Sequence, residues 1–280
     1  MTTPSPKRAD GHGRKTGRVT LVGAGPGDPE LLTLKAVRVL QSADVILFDA
    51  LVSDEVLELA RSTAKKMLVG KRGGRPSCRQ EDINDLMIKL ARQGKHVVRL
   101  KSGDPGIFGR GGEEIAQVEN AGIAVDIVPG VTSASAMAAR LGISLTHRDN
   151  AHSVRFITGH SRHGGLPDNL DWTGLADAAT TVVIYMGGRT AKDFATRLIE
   201  HNLGGATPVV AVSSVSRTDE TIWSGTLSDL ALGGLDADLD QPVIIGIGLA
   251  FAAYARQKLQ QTAKFITRPD ATQHDFMMRR

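Results

Sequence analysis

The sequence predicts an α/β protein of two domains, with a parallel sheet in the first of them. Short runs rich in β-branched residues alternate with segments of helical periodicity from Arg18 onward, and repeated strand–helix units of this kind build parallel sheets. Three of the runs are followed directly by loops rich in glycine. Ligands bind beyond the carboxyl ends of the strands in such sheets, so the loops predict one small-molecule crevice lined largely by backbone.

The elements of the first half follow from these patterns in chain order. Runs of β-branched residues predict buried strands at Val19–Val22, Val45–Phe48, Lys66–Val69, Val97–Leu100 and Val125–Val128. Apolar residues at helical spacing predict helices at Pro29–Ser42, Asp54–Arg61, Gln80–Gln93 and Glu113–Asn120. Gly94 suits the position after a helix C-terminus, which supports the end of the third helix.

The second half continues with strands and helices, and a domain change is expected near Thr146–His152. Strands are predicted at Val154–Ile157, Thr181–Tyr185, Val209–Val212, Glu220–Ser224 and Val243–Ile247, and helices at Ala191–His201 and Ala250–Leu259. The glycine-rich segment Gly159–Leu170 is predicted to be a surface loop. The expected limits are a disordered leader 1–16, an N-terminal domain 17–148, a C-terminal α/β domain 149–262 and a flexible tail 263–280.

Composition excludes several classes of protein. The 280 residues are 41% hydrophobic with few aromatics, which is typical of a soluble α/β protein. The single cysteine, Cys78, excludes an intrachain disulfide and favours a reducing compartment, so the cytoplasm is expected. The longest apolar run, Val243–Ala255, is too short and glycine-broken to span a bilayer, and Met1–Thr16 lacks the apolar core of a secretory signal, so no membrane partner is expected.

The net charge of +4 is mild, and no basic run alternates with aromatic residues. A nucleic-acid partner is therefore not expected. Several cations stand near the glycine-rich loops, at Lys71, Arg72, Arg75, Arg99, Lys101, Arg110 and Arg148. Their placement suits an anionic ligand, although ordinary solvated charge would explain most of them individually.

The first glycine-rich loop, Gly23–Pro29, differs from a dinucleotide-binding loop. Asp28 stands where the third glycine of that motif belongs, and its carboxylate would repel a pyrophosphate. Pro26 occupies the turn where amides that bind phosphate usually point. A cofactor without phosphates, such as S-adenosylmethionine, fits the loop better.

Ordered motifs from about Gly17 to Leu259 carry a resemblance to a known family. The motifs are Val22–Pro29 followed by Leu31–Leu34, Val69–Gly74, Arg99–Pro105, Ile107–Glu114, Val128–Ser133, Leu145–Asp149 and Phe156–His160. In this order they resemble the tetrapyrrole methylases, and the Phe-Gly-Arg-Gly-Gly-Glu-Glu and Thr-His-Arg-Asp stretches are most similar to the uroporphyrinogen-III C-methyltransferases. Other tetrapyrrole methylases share the first loop, so it is these two stretches that point to this branch.

The resemblance implies a fold and an activity. The implied fold has a mostly parallel sheet in the N-terminal domain, a mixed sheet in the C-terminal domain and an active site in the cleft between them, and the implied assembly is a homodimer. The implied reaction is methylation of uroporphyrinogen III at carbons 2 and 7 by S-adenosylmethionine, without a metal. It gives S-adenosylhomocysteine and, through precorrin-1, precorrin-2, which feeds sirohaem, cobalamin and haem d1 synthesis.

Residue roles also follow from the resemblance. The positions that match cofactor contacts in the family are Pro26, Ser102, Gly103, Asp104, Ile107, Thr132, Ser133, Met186 and Val215. Asp49 matches a proton acceptor and Lys71 a proton donor, while Arg110, Glu113 and Arg148 match residues that bind substrate or assist deprotonation. The substrate carries eight carboxylates, so arginines and lysines are expected around it.

Simpler roles remain open for several of these residues. Asp49 would cap the following turn, Lys71 would bind a substrate carboxylate rather than act as an acid, and Met186 would fill the core. Four histidines, His147, His152, His160 and His163, lack the carboxylates or cysteines of a convincing metal site. The chain also departs from the family at Ser102, Gly106, Ser133 and Val215, which puts the cofactor contacts in doubt more than the activity.

Other functions compete with this one. One is methylation of a later corrin intermediate, which His147–Asp149 argues against. Another is a non-catalytic protein that keeps the cofactor crevice, which the presence of Asp49, Lys71, Arg110 and Arg148 argues against. An RNA methylase is a further alternative, and the absence of a basic aromatic surface argues against it.

Overall fold

The structure, a computed structural model, describes residues 16–70, 79–161, 164–238 and 240–257. Lys71, Cys78 and His163 lie outside these ranges, as do the predicted tail and all of the leader except Thr16, so what was predicted for them stays a prediction. The backbone divides into two compact units after Thr132. The change predicted near Thr146–His152 lies further along the chain, and the limits of the domains stay a prediction.

The N-terminal unit alternates strands and helices as the sequence predicts. The strands are β1 (Arg18–Gly23), β2 (Val45–Phe48), β3 (Lys65–Leu68), β4 (His96–Lys101) and β5 (Ala124–Val128). The helices are α1 (Leu34–Ser42), α2 (Asp54–Glu58), α3 (Gln80–Arg92) and α4 (Gly111–Asn120). Every predicted strand of this half is therefore confirmed to within two residues.

The five strands form one sheet in the order β3-β2-β4-β1-β5, with all neighbours parallel. The prediction of a parallel sheet is confirmed. One buried apolar cluster includes Leu40, Val98 and Leu100, and a second includes Met87 and Val97. Neighbouring residues of β4 thus belong to different clusters, because side chains alternate between the faces of a strand. All the strands end at one edge, called here the carboxyl edge.

The predicted helix Pro29–Ser42 is interrupted in the structure. A 3₁₀ turn covers Pro29–Leu31, and α1 begins only at Leu34. Asp28 caps the short turn through the backbone N–H of Glu30, and Thr33 caps α1 through that of Ala36. Two N-caps in succession require extended backbone between them, which breaks the helix despite its continuous apolar spacing.

The C-terminal unit contains a mixed sheet, as the resemblance implies. Its strands are β6 (Ser153–Thr158), β7 (Thr180–Tyr185), β8 (Pro208–Ser213), β9 (Thr221–Thr226) and β10 (Val243–Ile247). Their order is β6-β7-β10-β8-β9, and β6–β7 is the parallel pair while the other pairs are antiparallel. The helices are α5 (Ser133–Leu141), α6 (Trp172–Leu175), α7 (Ala191–Glu200) and α8 (Leu227–Ala231), followed by a 3₁₀ turn at Leu249–Phe251 and helical residues 252–257.

Helix α5 was not predicted, although it opens the second unit. Its sequence is rich in alanine and carries few large apolar residues, so it gives little helical periodicity. The buried side chains of Ala134, Met137 and Leu141 nevertheless lie on one face. The helix packs near β10, which explains why the unit begins at Ser133.

At the opposite, amino edge of the parallel sheet, His96 begins β4 among polar neighbours. Its Nε2 lies 2.9 Å from Thr20 Oγ1, and its backbone N–H donates to Asp44 Oδ2 over 2.8 Å. Asp44 also pairs with Arg61. Partial burial, reinforced by the charge of Arg18, lowers the pKa of the His96 imidazole.

This lowered pKa predicts how stability depends on pH. The unfolded chain binds the imidazole proton more tightly than the folded one, so the contribution is present above the ordinary histidine pKa of about 6.5 and is lost as pH falls through the lowered pKa. We expect His96→Gln, which retains a hydrogen-bonding group for Thr20, to lose less melting temperature between about pH 7.5 and pH 5 than the unsubstituted protein. Thermal denaturation at both pH values checks this, and equal losses would contradict it.

Candidate functional site

The three glycine-rich loops meet at the carboxyl edge of the parallel sheet. The first loop, Gly23–Pro29, follows β1, the second, Lys101–Gly106, follows β4, and the third, Pro129–Ala134, follows β5. These three strands are neighbours in the sheet. The first two loops form an isolated antiparallel bridge, in which Gly25 N donates to Gly103 O over 3.2 Å and Gly103 N donates to Gly25 O over 2.7 Å. The N–H of Ala24 adds a bond to Lys101 O. The loops are thus one hydrogen-bonded assembly.

Close backbone contact explains why glycine occupies two of these positions. A Cβ on Gly130 would lie 2.3 Å from Gly103 O and 2.8 Å from the Cα of Gly23. A Cβ on Gly23 would in turn lie 2.5 Å from the N of Gly130. Gly103 differs, because it has a φ of 69° and nothing lies within 4 Å of the place a Cβ would take. Gly23 and Gly130 therefore hold the loops together, while space is open beside Gly103 where a Cβ would lie.

Asp104 joins the second loop to the third. Its Oδ1 accepts a hydrogen bond from Gly106 N over 2.7 Å, and its Oδ2 accepts one from Gly130 N over 3.0 Å. A Cβ on Gly106 would lie 3.1 Å from the same carboxylate. Both oxygens of Asp104 therefore already brace the loops, and its predicted contact with a cofactor stays a prediction.

A cluster of four charged side chains lies beside the loops, between β2, β4 and α4. Arg99 Nη2 donates to Asp49 Oδ1 over 2.6 Å, and Arg99 Nε donates to Glu114 Oε1 over 3.0 Å. Lys101 Nζ lies 3.0 Å from both oxygens of Glu114, with a directed hydrogen bond to Oε1 and a purely ionic contact to Oε2. Side-chain exposure is 3% for Arg99, 5% for Lys101 and 0% for Glu114, against 30% for Asp49. Asp49 is thus the one member that solvent reaches.

Burial and charge act on the two cations of this cluster in different proportions. For Arg99, burial opposes the charged form, but Asp49 and Glu114 outweigh it and raise the guanidinium pKa. For Lys101, burial and the charge of Arg99 outweigh Glu114 and lower the ammonium pKa. Both cations are buried and paired with carboxylates. For Arg99 and Lys101, the two explanations from the sequence, a solvated charge and a contact with an anionic ligand, are therefore wrong.

The carboxylate of Asp49 does not cap the turn after β2. Its Oδ1 is held by Arg99, and its Oδ2 accepts no hydrogen bond from the described residues. The backbone of Gly70 lies close behind it, since a Cβ there would be 2.7 Å from Ala50 N and 3.2 Å from the Cα of Asp49. The partly exposed Asp49 is therefore oriented by one strong ionic contact.

The segment before α4 has unusual backbone geometry. Phe108 has a φ of 49° and Arg110 a φ of 56°, a conformation that is costly for residues other than glycine and that concentrates at functional sites. Arg110 Nε and Nη2 donate to the two oxygens of Glu113 over 3.0 and 2.5 Å. This fork raises the pKa of the Arg110 guanidinium. Both side chains stay about half exposed, so Arg110 presents its charge to solvent.

The remaining predicted residues of this unit lie on the same loops. Pro26 is buried in the first loop, whereas Ser102 and Ile107 in the second and Thr132 in the third are half-buried. The first loop is also tied to α2, because Ser53 Oγ donates to Gly27 O over 2.7 Å. The structure therefore brings Pro26, Ser102, Gly103, Asp104 and Ile107 to one edge of the sheet, together with Asp49.

The predicted residues of the C-terminal unit are described by themselves. Met186 follows β7 with a φ of 56° and is 54% exposed, so the alternative that it fills the core is wrong. Val215 is buried between Ser214 and Ser216, which have φ values of 50° and 63°. Ser133 is half-buried at the start of α5.

Arg148 lies in a short hairpin of the same unit. The hairpin is closed by an isolated bridge between His147 and Ala151, and His152 Nε2 lies 2.7 Å from Arg148 O. The side chain of Arg148 is exposed. Backbone contacts therefore fix the hairpin and leave this cation at the surface.

Sequence reasoning missed Glu114 as the centre of the buried cluster. One signal was present, because Arg99 and Lys101 interrupt an otherwise apolar strand and lie two residues apart, on one face. Buried cations need an anionic partner. The sequence offered Glu113 and Glu114 alike, and only the orientation of α4 shows which one is buried.

The described ranges contain neither a cluster of metal ligands nor a helix that could span a membrane. Within the described ranges, no three histidine, cysteine or acidic side chains come together as a ligand set for a metal ion. None of the helices in those ranges has the length and apolar character needed to cross a bilayer. That the protein works without a metal stays a prediction.

Two curated proteins are similar in sequence to most of this chain. A siroheme synthase of Yersinia enterocolitica is 51% identical over 237 residues, which are 85% of this chain and 50% of that protein. An S-adenosyl-L-methionine-dependent uroporphyrinogen III methyltransferase of Arabidopsis thaliana is 50% identical over 232 residues, which are 83% of this chain and 63% of that protein. The chain thus spans about half to two thirds of the length of these relatives.

Solved structures give the same result. The uroporphyrin-III C-methyl transferase of Thermus thermophilus, complexed with S-adenosyl homocysteine, matches with a TM-score of 0.74 and 39% identity over 85% of this chain and all of that one. A cobalt precorrin-4 methyltransferase matches with a TM-score of 0.72 and 30% identity over 83% of this chain and 95% of that one. The sequence model of the tetrapyrrole (corrin/porphyrin) methylases matches residues 18–231. The chain therefore belongs to the family of tetrapyrrole (corrin/porphyrin) methylases.

Proposed function

We propose that this protein transfers methyl groups from S-adenosylmethionine to carbons 2 and 7 of uroporphyrinogen III, giving precorrin-2 by way of precorrin-1. The observation that carries the proposal is the carboxyl edge of the parallel sheet. There, three interlocked glycine-rich loops adjoin the oriented carboxylate of Asp49 and the exposed pair of Arg110 and Glu113. Similarity to relatives named for this reaction supports the same choice of substrate.

The geometry of the loops is compatible with binding of S-adenosylmethionine. Space is open where a Cβ on Gly103 would lie, the φ of Gly103 is 69°, and Ser102 and Ile107 of the same segment are half-buried. No phosphate site is needed, and Asp28 at the end of the first loop disfavours one. We assign cofactor binding to Pro26, Ser102, Gly103, Asp104, Ile107, Thr132, Ser133, Met186 and Val215.

Proton removal is the step that the protein must catalyse after alkylation. When bound, S-adenosylmethionine supplies an electrophilic methyl group, which an electron-rich pyrrole carbon accepts as the bond from sulfur to methyl breaks. Asp49 suits the role of base, because its side chain is 30% exposed, Arg99 fixes Oδ1, and Oδ2 accepts no hydrogen bond from the described residues. The neighbouring loops hold the reactants in place, and such alignment supplies much of the barrier reduction.

The cations assigned to the substrate match its charge. Uroporphyrinogen III carries eight carboxylates, and arginine binds carboxylates through two parallel hydrogen bonds. Arg110 is half exposed and Arg148 exposed, so both reach solvent. Glu113 holds Arg110 in one orientation, and Lys71 is assigned to the same task or to proton donation. Homodimerisation, a cytoplasmic location and supply of sirohaem, cobalamin or haem d1 synthesis complete the proposal.

A second candidate is methylation of a later corrin intermediate. The structural similarity to a cobalt precorrin-4 methyltransferase favours it, at lower identity than the similarity to the uroporphyrin-III enzyme. A non-catalytic protein that binds the cofactor is a third candidate. Product analysis separates all three.

The assigned reaction is tested by anaerobic incubation with uroporphyrinogen III and S-adenosylmethionine labelled in the methyl group. We expect mass spectrometry of the oxidised product to show two added methyl groups, and Arg110→Ala to raise KM for the tetrapyrrole about tenfold or more, because a charge-assisted pair is worth about 1.5–3 kcal/mol. Arg197→Ala is the matched control, since Arg197 pairs with Glu200 at the same spacing and similar exposure on α7. Transfer to a later corrin alone would favour the second candidate, and no transfer with cofactor still bound would favour the third.

Cofactor binding is tested at the contact between the loops. Gly130→Ala would place a Cβ 2.3 Å from Gly103 O, so the second and third loops must separate. We expect a loss of about 1–3 kcal/mol in stability and roughly tenfold weaker binding of S-adenosylhomocysteine by calorimetry. Gly204→Ala, where the nearest atom is 4.0 Å away, is the control. Unchanged affinity in Gly130→Ala would contradict the assignment of these loops to the cofactor.

The role of Asp49 is tested by Asp49→Asn, which keeps an acceptor for Arg99 but removes the base. We expect kcat to fall by about 10²–10⁴-fold, with the affinity for S-adenosylhomocysteine unchanged. Asp44→Asn is the matched control, because Asp44 is 34% exposed and also pairs with an arginine, Arg61, at the opposite edge of the sheet. Wild-type kcat in Asp49→Asn would exclude Asp49 as the base.

A further inference from the structure

Asp49 is oriented by a side chain that is itself held in place. Arg99 donates through Nη2 to Asp49, through Nε to Glu114, and through Nη1 to the backbone carbonyls of Leu47 and Leu100. These bonds define both the position and the plane of the guanidinium. Among the described residues, Arg99 is the one side chain that bonds to the Asp49 carboxylate, so the orientation of Asp49 depends on that plane.

Glu114 is the acceptor on which this arrangement depends. Its side chain is fully buried, and its Oε1 accepts from Arg99 Nε, Lys101 Nζ and Gln80 Nε2, each over 3.0 Å. Gln80 is fixed in turn by Asn84 Oδ1 at 3.1 Å. The carboxylate lies in the first turn of α4, where the positive end of the helix dipole stabilises it. Glu114 is therefore a rigid anion that joins three elements, α3, β4 and α4.

The charge of the cluster balances only with Glu114 present. Arg99 and Lys101 carry two positive charges, and Asp49 and Glu114 carry two negative ones. Without Glu114, two buried cations would share the single carboxylate of Asp49. Arg99 would then lose the bond that fixes its Nε, and Lys101, whose position begins the second loop, would compete for the vacated space.

We infer that Glu114 is a positioning residue for methyl transfer, which acts through Arg99 to hold Asp49 in its productive orientation. The inference rests on the proposed function, because it takes Asp49 as the base. Glu114 itself is fully buried and cannot touch the substrate. Its effect must therefore pass through Asp49, which gives the inference a signature that a purely structural role lacks.

A double-mutant cycle of Glu114→Gln and Asp49→Asn tests the inference. Single-turnover transfer of labelled methyl groups gives the rate constant of each variant, and calorimetry gives its affinity for S-adenosylhomocysteine. We expect Glu114→Gln alone to lower the rate constant about 10- to 100-fold, because misplacement of a catalytic group by about 1 Å costs up to about 10²-fold, and to leave the affinity unchanged. In the Asp49→Asn background we expect no further decrease.

A second pair of variants covers loss of folding in Glu114→Gln. Arg99→Lys keeps the charge but replaces the fork with a single ammonium that cannot serve Asp49 and Glu114 with the same geometry. We expect the same decrease and the same lack of additivity as for Glu114→Gln. Asp44→Asn, in the ion pair at the amino edge, again serves as the control for destabilisation, with a lowered melting temperature and an unchanged rate constant.

Each alternative outcome has a definite meaning. Decreases that multiply in the double variant would assign Glu114 a structural role and overturn the inference, as would a wild-type rate constant in Glu114→Gln and Arg99→Lys. An unaffected Asp49→Asn would overturn it as well, while methyl transfer by the unsubstituted protein still supported the proposed function. Absence of transfer by the unsubstituted protein would instead overturn the proposed function, and this inference with it.

Discussion

The close contact of three backbone segments, at Gly23, Gly103 and Gly130, is the constraint on which the carboxyl edge depends. The parallel sheet brings β4, β1 and β5 side by side, but strand order alone does not determine how the loops beyond them pack. Cβ positions only 2.3–2.8 Å from neighbouring backbone show that no side chain fits between them. Asp104 then joins two of the loops with both its oxygens. The cofactor proposed for these loops would meet a surface that is already ordered, so the loops would lose little entropy on binding.

The charged side chains at this edge form two groups, one buried and one at the surface. Arg99, Lys101 and Glu114 are buried and reach charge balance together with the partly exposed Asp49, while Arg110 and Glu113 pair at the surface. Replacement of a buried ion pair by apolar residues of similar volume is often neutral or stabilising in proteins. Stability therefore does not explain the cluster. Its geometric consequence offers a better explanation: within the described residues, one side chain holds Asp49 through Oδ1 and no hydrogen bond reaches Oδ2.

Much of the fold and part of the site could be predicted from the sequence. The strand Val45–Phe48 has the predicted ends, because the apolar run is short and Asp44 and Asp49 bound it on either side. The loop residues and Asp49 directly follow such runs, but their roles were predicted from the resemblance to the tetrapyrrole methylases. Helix α5 and the break before Leu34 were not predicted, since alanine gives little periodicity and two successive caps interrupt an otherwise continuous apolar spacing. The partner of Arg99 was also hidden, because it lies on a different element.

The start of α4 explains why the adjacent Glu113 and Glu114 bind different arginines. Successive residues of a helix point about 100° apart, so Glu113 and Glu114 cannot face the same way. Gly111 fixes the rotation of the helix, because a Cβ there would lie 2.5 Å from Pro105 O, and the left-handed backbone of Arg110 sets the entry angle. With that rotation, one carboxylate reaches Arg110 at the surface and the next reaches Arg99 in the interior. The strained turn at Phe108 and Arg110 is therefore the conformation that lets one helix end serve both the exposed cation and the buried cluster.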